Sequence, residues 1–243
     1  MMMAEEASPF AAPVFTGPRL QAAIVDLDGT MIDTADDFTA GLNGMLAQLD
    51  AAPISRSEVM GYIGKGSEHL VRTVLVSRLG EDRAQAHFDN ALAIYQTEYA
   101  KINGRHTCLY PDVEAGLIAM RAAGLKLACV TNKPHRFAVE LLTQYGLLDY
   151  FTLVLGGDSL PKKKPDPLPI LHACATLDVA PQATVAIGDS ENDALAGRAA
   201  GTATLTVPYG YNHGQAIQTI KSDGIVASLL DAAKAIAAHN PPA

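Results

Sequence analysis

What most constrains the fold of this chain is a rhythm of short apolar runs, broken once by a long stretch of helical pattern. The runs occupy residues 21–28, 125–131, 151–155, 183–187 and 202–207. Their length and continuous apolar character predict strands buried on both faces, as in a parallel sheet. Between the later runs lie helical patterns at 113–123, 136–145, 168–177 and 194–200, three of them closed by a glycine. Strand, helix, strand at this spacing implies right-handed crossovers and a doubly wound α/β sheet. Between the first two runs, residues 34–107 read almost entirely as helix, at 38–49, 68–79 and 81–99. A connection in such a fold needs only a few residues, so this stretch is expected to be an inserted all-helical domain. The organisation expected is a flexible N-terminal tail over 1–18, a catalytic core over 19–33 and 108–243, and a helical cap over 34–107.

Composition matters here for what it excludes. A net charge of −8 argues against nucleic acid or an anionic membrane as partner, because both need a basic face. Cys108, Cys129 and Cys174 are far apart and lack metal-ligand spacing, so no disulfide framework or zinc site is expected. No basic, apolar leader pattern opens the chain and no stretch is apolar enough to span a bilayer, which points to the cytoplasm. The seven histidines show no metal or triad spacing. An anionic ligand therefore needs a local positive site.

The chemistry-bearing residues gather where such a sheet binds ligands, beyond the carboxyl ends of its strands. They are Asp26-Leu-Asp28-Gly-Thr30, Thr131-Asn132-Lys133, Lys164-Pro165-Asp166-Pro167 and Gly188-Asp189-Ser-Glu-Asn-Asp193. Singly, each is an acidic helix cap or a solvated lysine run. Together they supply a nucleophile, a proton carrier, phosphate donors, a cation and hard oxygen ligands, the parts that phosphoryl transfer requires. Carboxylate oxygens without a His or Cys cluster imply Mg2+ as the metal.

In order and spacing, these four segments resemble the four motifs of the haloacid dehalogenase superfamily, and the helical stretch sits where that superfamily places its commonest cap. Residues 61–66 (Gly-Tyr-Ile-Gly-Lys-Gly), 130–134 (Val-Thr-Asn-Lys-Pro) and 209–214 (Tyr-Gly-Tyr-Asn-His-Gly) further resemble phosphoglycolate phosphatases of the bacterial type. The resemblance implies a Rossmann-like core in which Asp26 is the nucleophile, Asp28 the general acid and base, and Lys164 the charge-neutralising lysine. It implies Thr131 and Asn132 as phosphate donors. Mg2+ would be held by the Asp26 carboxylate, the Asp28 backbone carbonyl and Asp189. Asp193 then lies behind these ligands, holding Lys164, with Glu191 as a competing ligand. Relatives that dehalogenate lack the second aspartate, so Asp28 favours phosphate chemistry.

For the leaving group, Gly64, Lys65 and Gly66 at the start of a helix capped by Ser67 form an expected anion site, with Arg72 as a second cation and His69 a weaker candidate. The implied activity is hydrolysis of 2-phosphoglycolate, a step of carbohydrate metabolism, by a monomer or homodimer acting on a small phosphate ester. The alternatives are a phosphatase of sugar phosphates or pyrophosphate, a phosphoglucomutase-like transferase, or a phosphonate hydrolase using Lys65. A phosphate-sensing module on an inactive scaffold would have lost the nucleophile or a metal ligand, and all are present.

Overall fold

The computed structural model describes residues 10–240. Its centre is a six-stranded, wholly parallel sheet made of β1 (Ala22–Val25), β4 (Lys126–Val130), β5 (Leu153–Leu155), β6 (Thr184–Gly188), β7 (Ala203–Thr206) and β8 (Gly224–Ile225). The strand order is β5-β4-β1-β6-β7-β8. All four residues of β1 are buried, which is why the strand is apolar without alternation. Helices α5 (Val113–Ala122), α6 (His135–Gln144) and α9 (Leu229–His239) cover one face around Val25, Leu127, Cys129 and Ile187. Helices α7 (Leu168–Leu177) and α8 (Glu191–Ala200) cover the other around Ile24, Ala128 and Val130. This is the doubly wound α/β sheet expected from the apolar runs. The chain reverses its direction of build at β1, between β4 and β6, so the residues following β1 lie at the switch point.

The interruption in the rhythm is helical, as its periodicity predicts. It comprises α1 (Ala35–Gln48), α2 (Arg56–Met60), α3 (Ser67–Leu79) and α4 (Glu81–Ile102). These helices bury a cluster of their own, with Leu42, Met45, Leu46, Val71, Val74, Leu75, Tyr95 and Tyr99 almost inaccessible. The chain leaves and re-enters the core through a short antiparallel pair, β2 (Ile32–Asp33) and β3 (Cys108–Leu109), registered Ile32 to Leu109 and Asp33 to Cys108. Pairing the two crossings gives the helical segment a two-stranded stalk.

Buried Asp37 fastens that stalk, since its carboxylate accepts hydrogen bonds from the backbone N–H groups of Gly104 (2.5 Å) and His106 (2.8 Å). Of the expected tail, residues 1–9 lie outside the described residues. The remainder is not loose throughout: the Val14 N–H bonds the Asp223 carbonyl at 3.1 Å, and Phe15 packs on His239 with ring centroids 5.2 Å apart. Phe15 shields apolar surface at the sheet end away from the switch point, a gain a composition reading of Ala and Pro does not register. No helix among the described residues is long and apolar enough to cross a membrane.

Replacing Asp37 by Ala leaves the part-buried N–H donors of Gly104 and His106 without their carboxylate. Urea unfolding should show a loss of about 1 kcal/mol or more, since a hydrogen bond to a charged group contributes roughly 1.5–3 kcal/mol and water re-solvates part of each freed donor. A loss under about 0.5 kcal/mol would mean that the stalk does not depend on this carboxylate.

Candidate active site

Beyond the end of β1 the backbone turns sharply. Gly29 has φ of +83°, and a Cβ there would lie 2.4 Å from an Asp189 carboxylate oxygen, so this turn and the approach of Asp189 need glycine. The turn sends Asp26 and Asp28 toward the same cavity, which they line with Thr131, Asn132, Lys133, Phe38, Ile63, Gly64 and Gly66. The cavity lies between the sheet end and the helical segment, with about 30 Å³ of free space.

Four segments distant in sequence meet at Lys164. Its ammonium lies 2.9 Å from Asp26 Oδ1, 2.6 Å from Asp193 Oδ1 and 2.7 Å from the Val130 carbonyl oxygen. Burial works against this charge, yet Asp193 and Asp26 together hold its pKa above the ordinary lysine value. Of the three lysines in the basic run, only this one is buried. Asp193 owes its position to helix α8, whose capping box joins Ser190 and Asp193. Its Oδ2 accepts from the Ser190 N–H (3.1 Å) and hydroxyl (2.7 Å), leaving Oδ1 for Lys164. Both oxygens are thereby engaged by groups of the protein itself.

Asp189 is held by Thr30 Oγ1 (2.9 Å) and the Tyr211 N–H (2.6 Å). Carboxylate oxygens of Asp26, Asp189 and Asp193 lie within 4.8 Å of one another. Burial, followed by the charge of Asp193, pushes the Asp189 carboxyl up to about 7. Burial also raises Asp26 well above the carboxylate range, with Lys164 opposing the rise and Asp193 and Asp189 adding to it. One ammonium is too little positive charge for three buried carboxylates. Their donor set is hard oxygen only, so the residues fit Mg2+ or a similar cation. Glu191 is exposed at the start of α8 and is not part of this cluster.

Asp28 Oδ1 accepts from Thr34 Oγ1 (2.8 Å) and from the Lys133 ammonium (3.1 Å). Thr131 lines the cavity; its Oγ1 accepts the Lys133 N–H at 3.2 Å, which leaves the hydroxyl proton for a ligand. Asn132 differs from expectation. Its side-chain amide donates to the Gly64 and Lys164 carbonyls, both at 2.8 Å, so it ties the loop to the lysine segment rather than offering those protons to phosphate.

The expected leaving-group site also differs. Gly64 and Gly66 line the cavity with their backbone at φ of +110° and +85°, and this path turns the intervening Lys65 outward. Lys65 is exposed and lines a neighbouring open cleft with His69, Arg72 and His213. Arg72 lies over the Phe88 ring at 4.1 Å and bonds Gln85. Helix α3 is capped by Gly66, not by the Ser67 side chain.

Sequence reasoning missed Lys133, whose side chain is fully buried against the cavity. Its position just after Thr131-Asn132 at a strand end was the available signal. Also missed was the work of residues 209–214. Gly210 makes room for Asp189, the Tyr211 hydroxyl donates to Asp33 and accepts from the Thr34 and Ala35 N–H groups, and Tyr209 Oη bonds the Thr30 carbonyl.

Residues 23–207 match the family model of the haloacid dehalogenase-like hydrolases. A phosphoglycolate phosphatase of Nitrosospira multiformis is 45% identical over 89% of this chain and 96% of its own. One of Thiobacillus denitrificans is 44% identical over 88% and 94%. A crystal structure of a predicted phosphoglycolate phosphatase from Haemophilus somnus superposes with a TM-score of 0.81 at 32% identity, covering 89% of this chain and 98% of that one.

The raised Asp189 carboxyl has a consequence for pH. A carboxyl raised from 3.8 to about 7 favours the fold while protonated, and that stability is lost as pH rises between those values. A bound cation removes the penalty and competes with the proton. Thermal melts with Mg2+ against a chelator should therefore show a larger Mg2+-induced rise at pH 8 than at pH 5. An equal rise at both would show that the cation does not bind these carboxylates.

Proposed function

The chain belongs to the haloacid dehalogenase-like hydrolases, and we propose that it hydrolyses 2-phosphoglycolate to glycolate and inorganic phosphate with Asp26 as the nucleophile. The observation that carries this reading is the placement of Asp26 and Asp28 on one small cavity at the switch point, with Lys164 bonded to Asp26 and Asp189 alongside. The full-length similarity to phosphoglycolate phosphatases supplies the substrate. We place the enzyme in the cytoplasm, acting on a freely diffusing ester, with residues 34–107 serving as the cap.

In the first half-reaction, an Asp26 carboxylate oxygen attacks phosphorus. The bond from phosphorus to the ester oxygen breaks, and that oxygen takes a proton from Asp28. Thr34 and Lys133 both engage Asp28 Oδ1, which leaves the other oxygen to carry the proton. Lys164 sits against the attacking carboxylate and balances charge as it meets the phosphate. Thr131 offers its hydroxyl proton to a phosphate oxygen. In the second half, Asp28 takes a proton from water, which attacks phosphorus and releases Asp26 and inorganic phosphate. Asp26, the Asp28 carbonyl and Asp189 would hold Mg2+, which when bound neutralises phosphate charge and aligns it for attack. The cavity is small, with about 30 Å³ of free space, and closure of the cap over it would exclude bulk water.

Phosphate release should be measured on 2-phosphoglycolate, sugar phosphates, pyrophosphate and an aryl phosphate. 2-Phosphoglycolate is expected to lead by tenfold or more, about 1.4 kcal/mol of transition-state preference, and Asp26→Asn to be inactive. Asp28→Asn should lose roughly 10²–10⁴ in kcat on alkyl esters and less on the aryl ester, whose leaving group needs no proton. A flat panel would defeat the substrate assignment, and an active Asp26→Asn would defeat the nucleophile.

A further inference from the structure

Lys133 is a cation in an unusual place. Its side chain is wholly removed from solvent, and burying an ammonium costs several kcal/mol unless its partners compensate. Two partners are hydrogen-bonded, Asp28 Oδ1 at 3.1 Å and the Tyr99 hydroxyl oxygen at 2.7 Å. Two more are aromatic faces, with Nζ 4.4 Å from the Phe38 centroid and 4.8 Å from that of Tyr99. Phe38 and Tyr99 come from helices α1 and α4, so the cap builds the cradle in which a core lysine rests. Burial lowers the proton affinity of Lys133, while Asp28, Asp37 and Asp26 sustain its charge. An ammonium has three donors, and the two hydrogen bonds occupy two of them.

The geometry says what the third can meet. Asp28, as general acid, must come within hydrogen-bond reach of the ester oxygen of the substrate. Lys133 Nζ lies 3.1 Å from that same carboxyl, and Lys133 is among the residues lining the same cavity. In 2-phosphoglycolate a single methylene separates the ester oxygen from the carboxylate, so the carboxylate falls beside the lysine. Phe38, Ile63 and Leu70 on this wall are apolar, Ser67 and the backbone of Gly64 and Gly66 are neutral, and Lys133 is the one cationic side chain among the described residues that line the cavity. Lys65, the cation that the loop sequence singles out, is exposed and points into another cleft.

We propose that Lys133 recognises the carboxylate of the leaving group and so sets the enzyme's preference for 2-phosphoglycolate. This rests on the phosphoglycolate reading above. The aromatic and aspartate contacts hold the ammonium in wait, and the incoming carboxylate takes its third donor. An ester of equal size without the carboxylate leaves the lysine as it was and gains nothing from it.

The test compares kcat/KM for 2-phosphoglycolate and for ethyl phosphate, which differ only in that carboxylate, in wild type, Lys133→Met, Lys133→Gln and Lys65→Ala. Circular dichroism checks each variant's fold; Met keeps the stem packed between the rings, and Gln keeps a donor should Met not fold. Loss of Lys133 disturbs Asp28 and should slow both esters, but kcat/KM for 2-phosphoglycolate should fall at least about 20-fold further than kcat/KM for ethyl phosphate. Lys65→Ala should keep the wild-type preference. An undiminished preference in folded Lys133 variants overturns the inference, as does a collapse of preference in Lys65→Ala. An equal fall on both esters also overturns it, because Lys133 would then act only through Asp28. A wild type that does not distinguish the two esters defeats the phosphoglycolate reading itself, a result separable from the others before any variant is made.

Discussion

The site depends on one buried ammonium. Lys164 stands between Asp26 and Asp193, and Asp189 lies close enough that the three carboxylates share one small volume. Without that charge, the acids would be left uncompensated in a medium that screens poorly, a situation that costs about 3–5 kcal/mol in comparable buried pairs. The lysine is itself fixed by the Val130 carbonyl at the end of β4, and its backbone carbonyl is held by Asn132. Three strand ends and the start of α8 are thereby aligned on one point. The electrostatics that make the cluster suitable for a cation and a phosphate also hold the loops in register.

The same parts couple the core to the helical segment. The Gly64 carbonyl accepts from both Asn132 and Asn192, so the loop over the cavity is held by residues that adjoin Thr131 and the acidic start of α8. Tyr211, after β7, reaches the stalk at Asp33, Thr34 and Ala35 while its N–H holds Asp189. Asp28 accepts from Thr34 of the stalk and from Lys133, whose cradle comes from α1 and α4. The neutral hydrogen bonds among these links contribute about 1 kcal/mol net each, and those to the aspartates roughly 1.5–3 kcal/mol. The helical segment and the residues around the cavity are therefore ordered together, by contacts contributed from both sides.

The legible parts and the illegible ones differ in kind. Asp26, Asp28, Asp189 and Asp193 could be singled out because each follows a strand end or opens a helix that its own segment defines, whereas Lys164 was chosen among three lysines only by the family resemblance. Two neighbouring lysines show the opposite. Lys65 lies between glycines ahead of a helix and reads as a cation aimed at an anion, yet positive φ at Gly64 and Gly66 turns it outward. Lys133 follows Thr131-Asn132 with nothing local to give it a role, and the walls that bury it, Phe38 and Tyr99, are 95 and 34 residues away in the chain. The 209–214 segment was opaque for the same reason, since the Tyr211 hydroxyl meets Asp33 across 178 residues.

By itself, then, the sequence determined the parallel sheet, the helical interruption and the chemical type of every group at the switch point. Apolar runs, glycines and short polar motifs are local, and a local pattern suffices to choose a strand, a turn or a helix start. Only the tertiary structure decided which cation faces the cavity, which amide is already committed and which tyrosine braces the stalk. Those outcomes depend on burial and on hydrogen-bond partners contributed by segments that meet only when the two hydrophobic clusters close, and no spacing along the chain encodes that meeting.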